Sequence, residues 1–286
     1  MSAMKIISSV SEMQAFAEEL RRSGKRIGLV PTMGYLHEGH LSLIRRAREV
    51  SDAVIVSIFV NPTQFAPNED FERYPRDIER DTSLLHSEGV TILFTPSVEE
   101  MYPAGFSTYV VPESISSILE GKFRPAHFRG VATIVAKLFL IAHPHAAMFG
   151  QKDAQQSIII KRMVRDLNFD TQIIVAPIMR EKDGLAKSSR NIYLSPGERN
   201  DAAILFQSLN KAEEMIHKGE ASAAVIIKEV EKIIHTKKTA VIDYVAVNDA
   251  ESLAEIAEIQ KGKSILVSLA ARFGKTRLID NIIVQQ

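Results

Sequence analysis

The stretch VPTMGYLHEGH, residues 30–40, follows a short apolar run from Ile27 to Val30. An apolar run of this length with polar residues before it is typical of a buried strand in a parallel sheet. Pro31 has no N–H for a sheet ladder, so we expect the strand to end there, and Gly34 and Gly39 permit tight turns and close approach of a ligand to the main chain. Apolar residues then recur at helical spacing, which predicts a helix that begins between residues 36 and 39.

Two histidines, His37 and His40, stand three residues apart at the predicted start of this helix. A helix N-terminus has unpaired N–H groups and the positive end of the helix dipole, so it favours a phosphate, and two imidazoles add donors for the same anion. The pair also fits surface residues or helix caps, and zinc is a further alternative. Zincin histidines stand four residues apart, so the spacing argues against zinc, and we expect no metal site.

Length and composition narrow the class of protein. The 286 residues, 45% of them hydrophobic, are enough for two domains with sizeable cores. Lys plus Arg equals Asp plus Glu at 35 each, which argues against nucleic acid or an acidic membrane as a partner. The chain has no cysteine, so disulfides and thiol catalysis are excluded. Residues 1–10 lack a signal-peptide pattern, and the longest apolar stretch, Val131 to Ala142, is shorter than the about 20 residues that span a bilayer, so we expect a soluble cytoplasmic protein.

Apolar runs and helical patterns alternate through the first two thirds of the chain. After residues 27–30, strands are predicted at 53–60, 90–94, 146–150 and 171–175, and helices at 11–22, 77–87, 114–119 and 126–142. Helices from Pro196 to about Lys218 and from 221 to 236 follow, and then strands at 241–247, 264–269 and 276–284. This order predicts an α/β fold, with a Rossmann-like parallel sheet flanked by helices in residues 1–177 and a smaller α+β domain in residues 178–286.

Polar residues follow two of the predicted strands. Asn61 and Gln64 come after the strand predicted at 53–60. Lys152, Asp153 and Gln156 come after the strand that ends at Gly150. Ligands of an open α/β sheet bind beyond the carboxyl ends of the strands, so these side chains are candidates for one site with the two histidines. Lys152 can place an ammonium on a phosphate, and Asp153 can accept hydrogen bonds from ribose hydroxyls. An Asn-Pro turn and ordinary helix capping are the alternative interpretations.

The segment from Pro177 to Asn191 is dense in polar residues and contains Gly184. Its basic and hydroxyl side chains can close over a triphosphate, and a solvated interdomain linker explains the same composition. Near the C-terminus, Gly274-Lys275-Thr276 suggests a phosphate loop, but that pattern needs a glycine at position 269, where the chain has leucine. A Gly-x-Gly-x-x-Gly fingerprint is also missing, which argues against a dinucleotide dehydrogenase.

Six motifs in this order resemble the pantothenate synthetase family, the ATP-dependent pantoate–β-alanine ligases of the nucleotidyltransferase group with a His-x-Gly-His motif. The resemblance covers essentially the whole chain. It rests on PTMG with HEGH (residues 31–34 and 37–40), NPTQF (61–65), YPR (74–76), HFRGV (127–131), FGQKD with QQ (149–153 and 155–156), and SSRN (188–191). It implies that pantoate attacks the α-phosphorus of ATP to give pantoyl adenylate and pyrophosphate, and that β-alanine then displaces AMP.

The resemblance also implies roles for individual residues. The catalytic groups would be His37, His40, Lys152, Ser188, Ser189 and Arg190. ATP would in addition contact Pro31, Thr32, Met33, Gly34, Gly39, Phe149, Gly150, Asp153, Met179 and Lys187. Pantoate would contact Met33, Gln64 and Gln156, and Asn61 would lie on the β-alanine side. Tyr74 and Arg124 match family positions near the site entrance, and a homodimer follows from the resemblance alone.

Two features of the sequence qualify this comparison. Some relatives carry consecutive acidic residues associated with magnesium after the Tyr-Pro-Arg motif, whereas this chain has Glu79-Arg80-Asp81, so we expect Mg²⁺ to arrive with ATP. Lys187 stands before Ser188, at a position where relatives often have an apolar residue. With this lysine, Lys187-Ser188-Ser189 is similar to the mobile lysine-serine loop of class I synthetases. Residues 65–76 and 187–191 are candidates for a lid that shields the adenylate from water.

Two other functions remain as alternatives. A different adenylyltransferase with the same histidine motif would act on another small acid or nucleotide and would need no amine. A non-enzymatic RNA-binding module is suggested only by the synthetase-like motif, and the balanced charge argues against it.

Overall fold

The computed structural model describes residues 4–67 and 69–286. Residues 1–3, within the segment inspected for a signal peptide, and Asn68, within the predicted lid, lie outside the described residues. The chain divides into two compact units, Met1–Gly150 with Ile159–Ala176 and Gln151–Ile158 with Pro177–Gln286. The last change of unit falls between Ala176 and Pro177, and the short segment Gln151–Ile158 groups with the second unit.

The first unit contains a parallel sheet, as the alternating pattern predicts. Its strand order is β1-β4-β3-β2-β5-β6, and every neighbouring pair is parallel. The strands are β1 (Lys5–Ile7), β2 (Ile27–Thr32), β3 (Ala53–Ile58), β4 (Ile92–Phe94), β5 (Ala146–Gly150) and β6 (Gln172–Ala176). From β2 the chain adds β3 and β4 on one side and later β5 and β6 on the other, so the topological switch point lies between β2 and β5, where ligands of such sheets bind.

Helices cover both faces of this sheet. They are α1 (Val10–Arg22), α2 (Glu38–Val50), α3 (Ile78–Ser87), α4 (Val98–Met101), α5 (Glu120–Phe123), α6 (His127–Ala142) and α7 (Ala154–Asp166). Apolar residues of α1 and α6 pack with Leu29 and Ile55 on one face, and those of α2 and α3 pack with Val30 and Val56 on the other. Because successive strand residues point to opposite faces, a strand buried on both sides must be continuously apolar, which explains the runs in the sequence.

Pro31 does not end its strand, contrary to our prediction. β2 continues through Pro31, in register with Ser57 of β3, to Thr32. On its other side β2 pairs with β5 only at Gly28 and Leu29. Proline lacks an N–H donor, and its position beyond the β5 pairing means that no ladder bond to β5 is lost.

Two helix predictions were wrong in detail. The helix predicted to start at residue 11 starts at Val10, and Ser9 is its N-cap, since the Ser9 hydroxyl accepts the N–H of Glu12 at 3.4 Å. The helix predicted over residues 114–119 is absent, and only the short α5 follows. Ser114 has φ of +56° there, and Ser117 donates to the Ser114 carbonyl at 2.7 Å, because serine hydroxyls compete with helical main-chain bonds.

The second unit is the predicted smaller α+β domain. It contains α8 (Pro196–Ala202), α9 (Ile204–His217) and α10 (Ala223–Ile234), and an antiparallel sheet in the order of the chain, β7 (Ala240–Asp249), β8 (Ser264–Phe273) and β9 (Thr276–Gln285). The single helix predicted from Pro196 is two helices that meet at Ala203. Gly274 turns between β8 and β9 with φ of +57°. Among the described residues, no helix is long and apolar enough to cross a membrane.

Candidate active site

The loop from β2 to α2 begins with a tight turn at Gly34 and Tyr35. Gly34 has φ of +82° and Tyr35 has φ of +50°, so the main chain is left-handed at both residues. Thr32, at the end of β2, donates its hydroxyl to the Ser57 carbonyl at 2.8 Å and accepts the Gly34 N–H at 3.2 Å. The turn is therefore tied to the adjacent strand β3.

Asp81 of α3 stabilises the same turn. Its carboxylate accepts the N–H of Tyr35 at 2.6 Å and the N–H of Leu36 at 2.8 Å, and its side chain is 1% exposed. Burial raises the pKa of Asp81 above its ordinary value, and the two main-chain donors and Arg80 act in the opposite direction. Sequence reasoning missed this role. The available signal was an acidic residue four positions before Leu85 on the buried side of an amphipathic helix.

His37 and His40 lie where the sequence places them, at the start of α2. His37 is the N-cap, and its Nδ1 accepts the Gly39 N–H at 3.1 Å, while Nδ1 of His40 accepts the His37 N–H at 3.3 Å. An imidazole whose Nδ1 accepts a main-chain N–H carries its proton on Nε2. Both rings, with centroids 4.1 Å apart, are thus set up as Nε2–H donors at a helix N-terminus.

Asn61, which is buried, and Gln64, which is partly buried, belong to an amide network that follows β3. The Nδ2 of Asn61 donates to Gln64 Oε1 at 3.0 Å and to the Gly130 carbonyl at 3.1 Å, and its Oδ1 accepts the Tyr102 hydroxyl at 2.8 Å. Gln64 in turn donates to the Met33 sulfur at 3.2 Å. The structure therefore brings together Met33, Asn61 and Gln64, which were chosen separately for the acid and amine substrates.

Arg124 and His127 connect this network to the predicted lid, residues 65–76. Arg124 forms a two-point ion pair with Glu69, at 2.6 Å and 2.5 Å, and also donates to the Gln64 carbonyl at 3.3 Å. Nδ1 of His127 donates to the same carbonyl at 2.9 Å, because Nε2 faces Arg124 at 3.3 Å and can only accept. These contacts give His127 a structural role.

Burial and the Arg124 charge determine the pKa values of His127 and Glu69. Desolvation, and then the Arg124 charge, lower the pKa of His127 to about 4. Burial works to raise the pKa of Glu69, but its hydrogen bonds and charge attraction to Arg124 outweigh burial, so that pKa lies below its usual value. At neutral pH an ionised Glu69–Arg124 pair, beside an uncharged His127, therefore anchors the segment predicted to be a lid.

Lys152 and Asp153 lie in the second unit, in a 3₁₀ helix of residues Gln151–Asp153 that directly follows β5. Lys152 is half-buried, with its ammonium 3.6 Å from the Asp153 carboxylate. Gln156 follows in the first turn of α7. The residues before them, Phe149 and Gly150, end β5 in the first unit, beside the switch point of the sheet.

The polar segment 177–191 forms a small hairpin in the second unit. Arg180 and Ala186 form a β-bridge, and the Lys187 N–H donates to the Met179 carbonyl at 2.9 Å. The Ser188 hydroxyl caps the 3₁₀ helix Ser189–Tyr193 by accepting the Arg190 N–H at 3.3 Å. Lys187 forms an ion pair with Glu181 at 3.4 Å. The sequence left a linker as an alternative, and the structure instead shows an ordered turn with Gly184 at φ of +92°.

The described residues contain no group of three or more His, Asp or Glu side chains placed to bind a metal ion. The phosphate-binding candidates are His37 and His40 in the first unit and Lys152, Ser188, Ser189 and Arg190 in the second. The side chains suited to a small hydroxy acid are Gln64 with Met33 in the first unit and Gln156 in the second.

Comparison with known proteins gives one consistent result. The family model described as pantoate-beta-alanine ligase matches residues 5–283. The pantothenate synthetase of Acetivibrio thermocellus is 58% identical over 282 residues, which are 99% of this chain and 100% of the relative. That of Thermotoga petrophila is 57% identical over 281 residues, 98% of this chain and 100% of the relative.

Solved structures agree with these relatives. The crystal structure of the pantothenate synthetase of Thermus thermophilus matches with a TM-score of 0.92 and 45% identity, covering 99% of this chain and 100% of that one. The pantoate-beta-alanine ligase of Francisella tularensis, complexed with beta-gamma ATP and β-alanine, matches with a TM-score of 0.80 and 35% identity, over 98% of each chain.

Proposed function

Because the chain belongs to the pantoate-beta-alanine ligase family, we propose that the residues described above condense pantoate with β-alanine through a pantoyl-adenylate intermediate. The chain is an ATP-dependent ligase of pantothenate biosynthesis. The observation that carries the mechanism is the start of α2, where two imidazoles with protonated Nε2 atoms stand beside the main-chain donors of a helix N-terminus.

In the first step, a carboxylate oxygen of pantoate bonds to the α-phosphorus of ATP, and the bond to the pyrophosphate oxygen breaks. In the second, the amine of β-alanine attacks the acyl carbon, the bond to the phosphate oxygen breaks, and AMP leaves with that oxygen. Both nucleophiles belong to substrates, so the enzyme needs no nucleophilic side chain. Its contribution is alignment, worth roughly 7 to 11 kcal/mol, and donors to the charged phosphate oxygens, worth about 3 to 4 kcal/mol each.

The phosphate groups are assigned to cations and N–H donors. His37 and His40 donate from Nε2 to the phosphates, and Lys152, Ser188, Ser189 and Arg190 neutralise the α-phosphate and the departing pyrophosphate. The remaining contacts to ATP come from residues that line the same elements: Pro31, Thr32, Met33, Gly34, Gly39, Phe149, Gly150, Asp153, Met179 and Lys187. Asp153 and Gly150 hold the ribose, since a carboxylate and a carbonyl both accept hydroxyl hydrogen bonds.

The amide side chains are assigned to the binding of pantoate and β-alanine. Gln64 and Gln156 bind the hydroxyls of pantoate, and Met33, which contacts Gln64, forms the wall against its dimethyl carbon. Asn61 lies on the β-alanine side, oriented by Tyr102 and Gly130. A site whose buried amides are left unpaired by a deoxy analogue rejects that analogue strongly.

Mg²⁺ enters with ATP as part of the substrate. Asp81, the buried acid of the region that is acidic in relatives, binds main-chain N–H groups with both oxygens, and this supports a metal carried by the nucleotide. Residues 65–76, anchored through Glu69 and Arg124, and residues 187–191 act as the lid that protects the adenylate from water.

Product analysis tests this function. Enzyme with Mg·ATP, pantoate and β-alanine is expected to release AMP and pyrophosphate, and ADP with phosphate would refute the mechanism. Without β-alanine, pantoate alone should support exchange of labelled pyrophosphate into ATP. No exchange with pantoate would refute pantoate as the acid that is activated, and exchange supported only by another small acid or nucleotide would instead indicate an adenylyltransferase with that acceptor.

Location in the cytoplasm and assembly as a homodimer are further proposals. The lack of cysteine is compatible with a reducing compartment, and the dimer follows from family resemblance. Cell fractionation and sedimentation equilibrium test the two statements, and a monomer at micromolar concentration would refute the second.

A further inference from the structure

Asn281, on β9 of the second unit, contacts the turn that carries Lys152. Its Nδ2 donates to the Gln151 carbonyl at 3.0 Å and to the Lys152 carbonyl at 3.0 Å. Its Oδ1 accepts the Gln151 side-chain amide at 3.3 Å. The two carbonyls flank the Cα atom of Lys152, so one side chain fixes the main chain on both sides of that lysine.

Asn281 is itself fixed from both sides. Its N–H donates to Asp280 Oδ1 at 2.8 Å, and its carbonyl accepts Arg180 Nη2 at 3.4 Å. Arg180 and Asp280 form a two-point ion pair at 2.6 Å and 3.0 Å, and both Asp280 and Asn281 are 2% exposed. Two-point pairs of this kind restrict geometry in two directions, unlike a single contact from a lysine.

Arg180, which contacts both Asp280 and Asn281, is itself held by two further contacts. The Arg180 guanidinium lies 4.0 Å from the centroid of the Phe206 ring and donates to the Gly184 carbonyl at 3.0 Å. A Cβ at Gly184 would lie 2.0 Å from Phe206, so only glycine permits this packing. A buried ion pair is weak evidence for added stability, since its desolvation offsets its attraction, and its clearer effect is on geometry.

We propose that Asn281 is a positioning residue for the adenylation step, acting through Lys152. This inference rests on the proposed function, in which the Lys152 ammonium neutralises the α-phosphate. The Lys152 side chain is long and flexible, so its ammonium is placed correctly only if its Cα is fixed. A displacement of about 1 Å in such a group lowers the rate by on the order of a hundredfold.

The test compares Asn281→Ala with Asn248→Ala by pantoate-dependent pyrophosphate exchange. Asn248 is a matched control, because it is a buried asparagine of the same sheet whose Nδ2 donates to a main-chain carbonyl, that of Leu253, at 2.9 Å. We expect Asn281→Ala to lower kcat for exchange on the order of a hundredfold and Asn248→Ala to change it by less than about threefold. Equal effects of the two variants would overturn the inference.

A double variant separates positioning from general damage. If Asn281 acts through Lys152, then Asn281→Ala will lower the residual rate of Lys152→Ala by less than about threefold. If the rate decreases caused by Asn281→Ala and Lys152→Ala instead multiply in full in the double variant, the inference is overturned and the proposed function stays intact. A Lys152→Ala variant with the wild-type rate would overturn both.

A second substitution covers the case in which Asn281→Ala does not fold. Asn281→Asp has the same shape, but its carboxylate only accepts, and it would face two carbonyls. Protonation gives the introduced carboxylate one O–H donor. The exchange rate of Asn281→Asp relative to wild type is therefore expected to rise as the pH is lowered from about 8 to about 6. A ratio that stays constant or falls over this range would contradict the inference.

Discussion

His127 gives a prediction whose size follows from the structure. Its pKa is lowered to about 4 in the folded protein, against about 6.5 in an unfolded chain. Between these values the unfolded state binds more protons, so stability falls as the pH drops from about 6.5 to about 4. The difference of about 2.5 units corresponds to roughly 3 kcal/mol of unfolding free energy, lost at up to about 1.4 kcal/mol for each pH unit.

The perturbation is His127→Asn. The Asn amide nitrogen can take the place of Nδ1 as donor to the Gln64 carbonyl, and the titrating group is removed. We therefore expect the stability of the variant to fall roughly 3 kcal/mol less than that of the wild type between about pH 7 and about pH 4. His86→Asn, at an exposed position of α3, is the control and should keep the wild-type pH dependence.

Urea unfolding at a series of pH values measures this difference. The chain has no tryptophan, so far-ultraviolet circular dichroism is a suitable signal. The NMR titration of the His127 ring, assigned by its loss in the variant, gives the pKa directly. A His127 pKa near 6.5, or equal pH dependence in the variant and the wild type, would refute the burial of an uncharged His127 beside Arg124.

Further predictions concern the site itself. Gly130→Ala would place a Cβ 2.5 Å from the Thr63 carbonyl oxygen and 2.6 Å from the Gln64 N–H, so we expect KM for pantoate to rise about tenfold or more, and an unchanged KM would contradict the packing. Asp81→Asn leaves one of two buried N–H groups unpaired, which should cost roughly 1 to 3 kcal/mol in urea unfolding, and no loss would show that the turn is held otherwise. His40→Ala and Lys152→Ala should each lower turnover on the order of a hundredfold with the circular dichroism spectrum intact, and near-wild-type rates would refute the site.

Much of the fold was accessible from the sequence, because local patterns determine it. Continuous apolar runs mark strands buried on both faces, and the α2 helix could be placed from its glycines and its apolar spacing. β1 was missed because it has three residues, of which only Ile7 is buried. Pro31 was misjudged because its cost depends on which neighbour the strand pairs with, and the sequence does not show that neighbour.

Site residues that belong to a local motif could be predicted from the sequence, whereas residues that act through contacts distant in sequence could not. His37, His40, Asn61 and Gln64 came from local motifs, and their roles with substrates remain predictions. Asp81 contacts a turn 46 residues away, and Asn281 contacts one 130 residues away. Neither residue has a local pattern that reveals such a partner, so these supporting contacts could be found only in the structure.

The central claim, that this site activates the carboxylate of pantoate by adenylation, is tested most directly by isotope transfer. Pantoate labelled with ¹⁸O in both carboxylate oxygens is turned over with ATP and β-alanine, and the phosphate of AMP is analysed by mass spectrometry. Attack on the α-phosphorus predicts that each AMP carries one ¹⁸O and that pantothenate retains the other. Unlabelled AMP, or label found in inorganic phosphate or pyrophosphate, would contradict the mechanism.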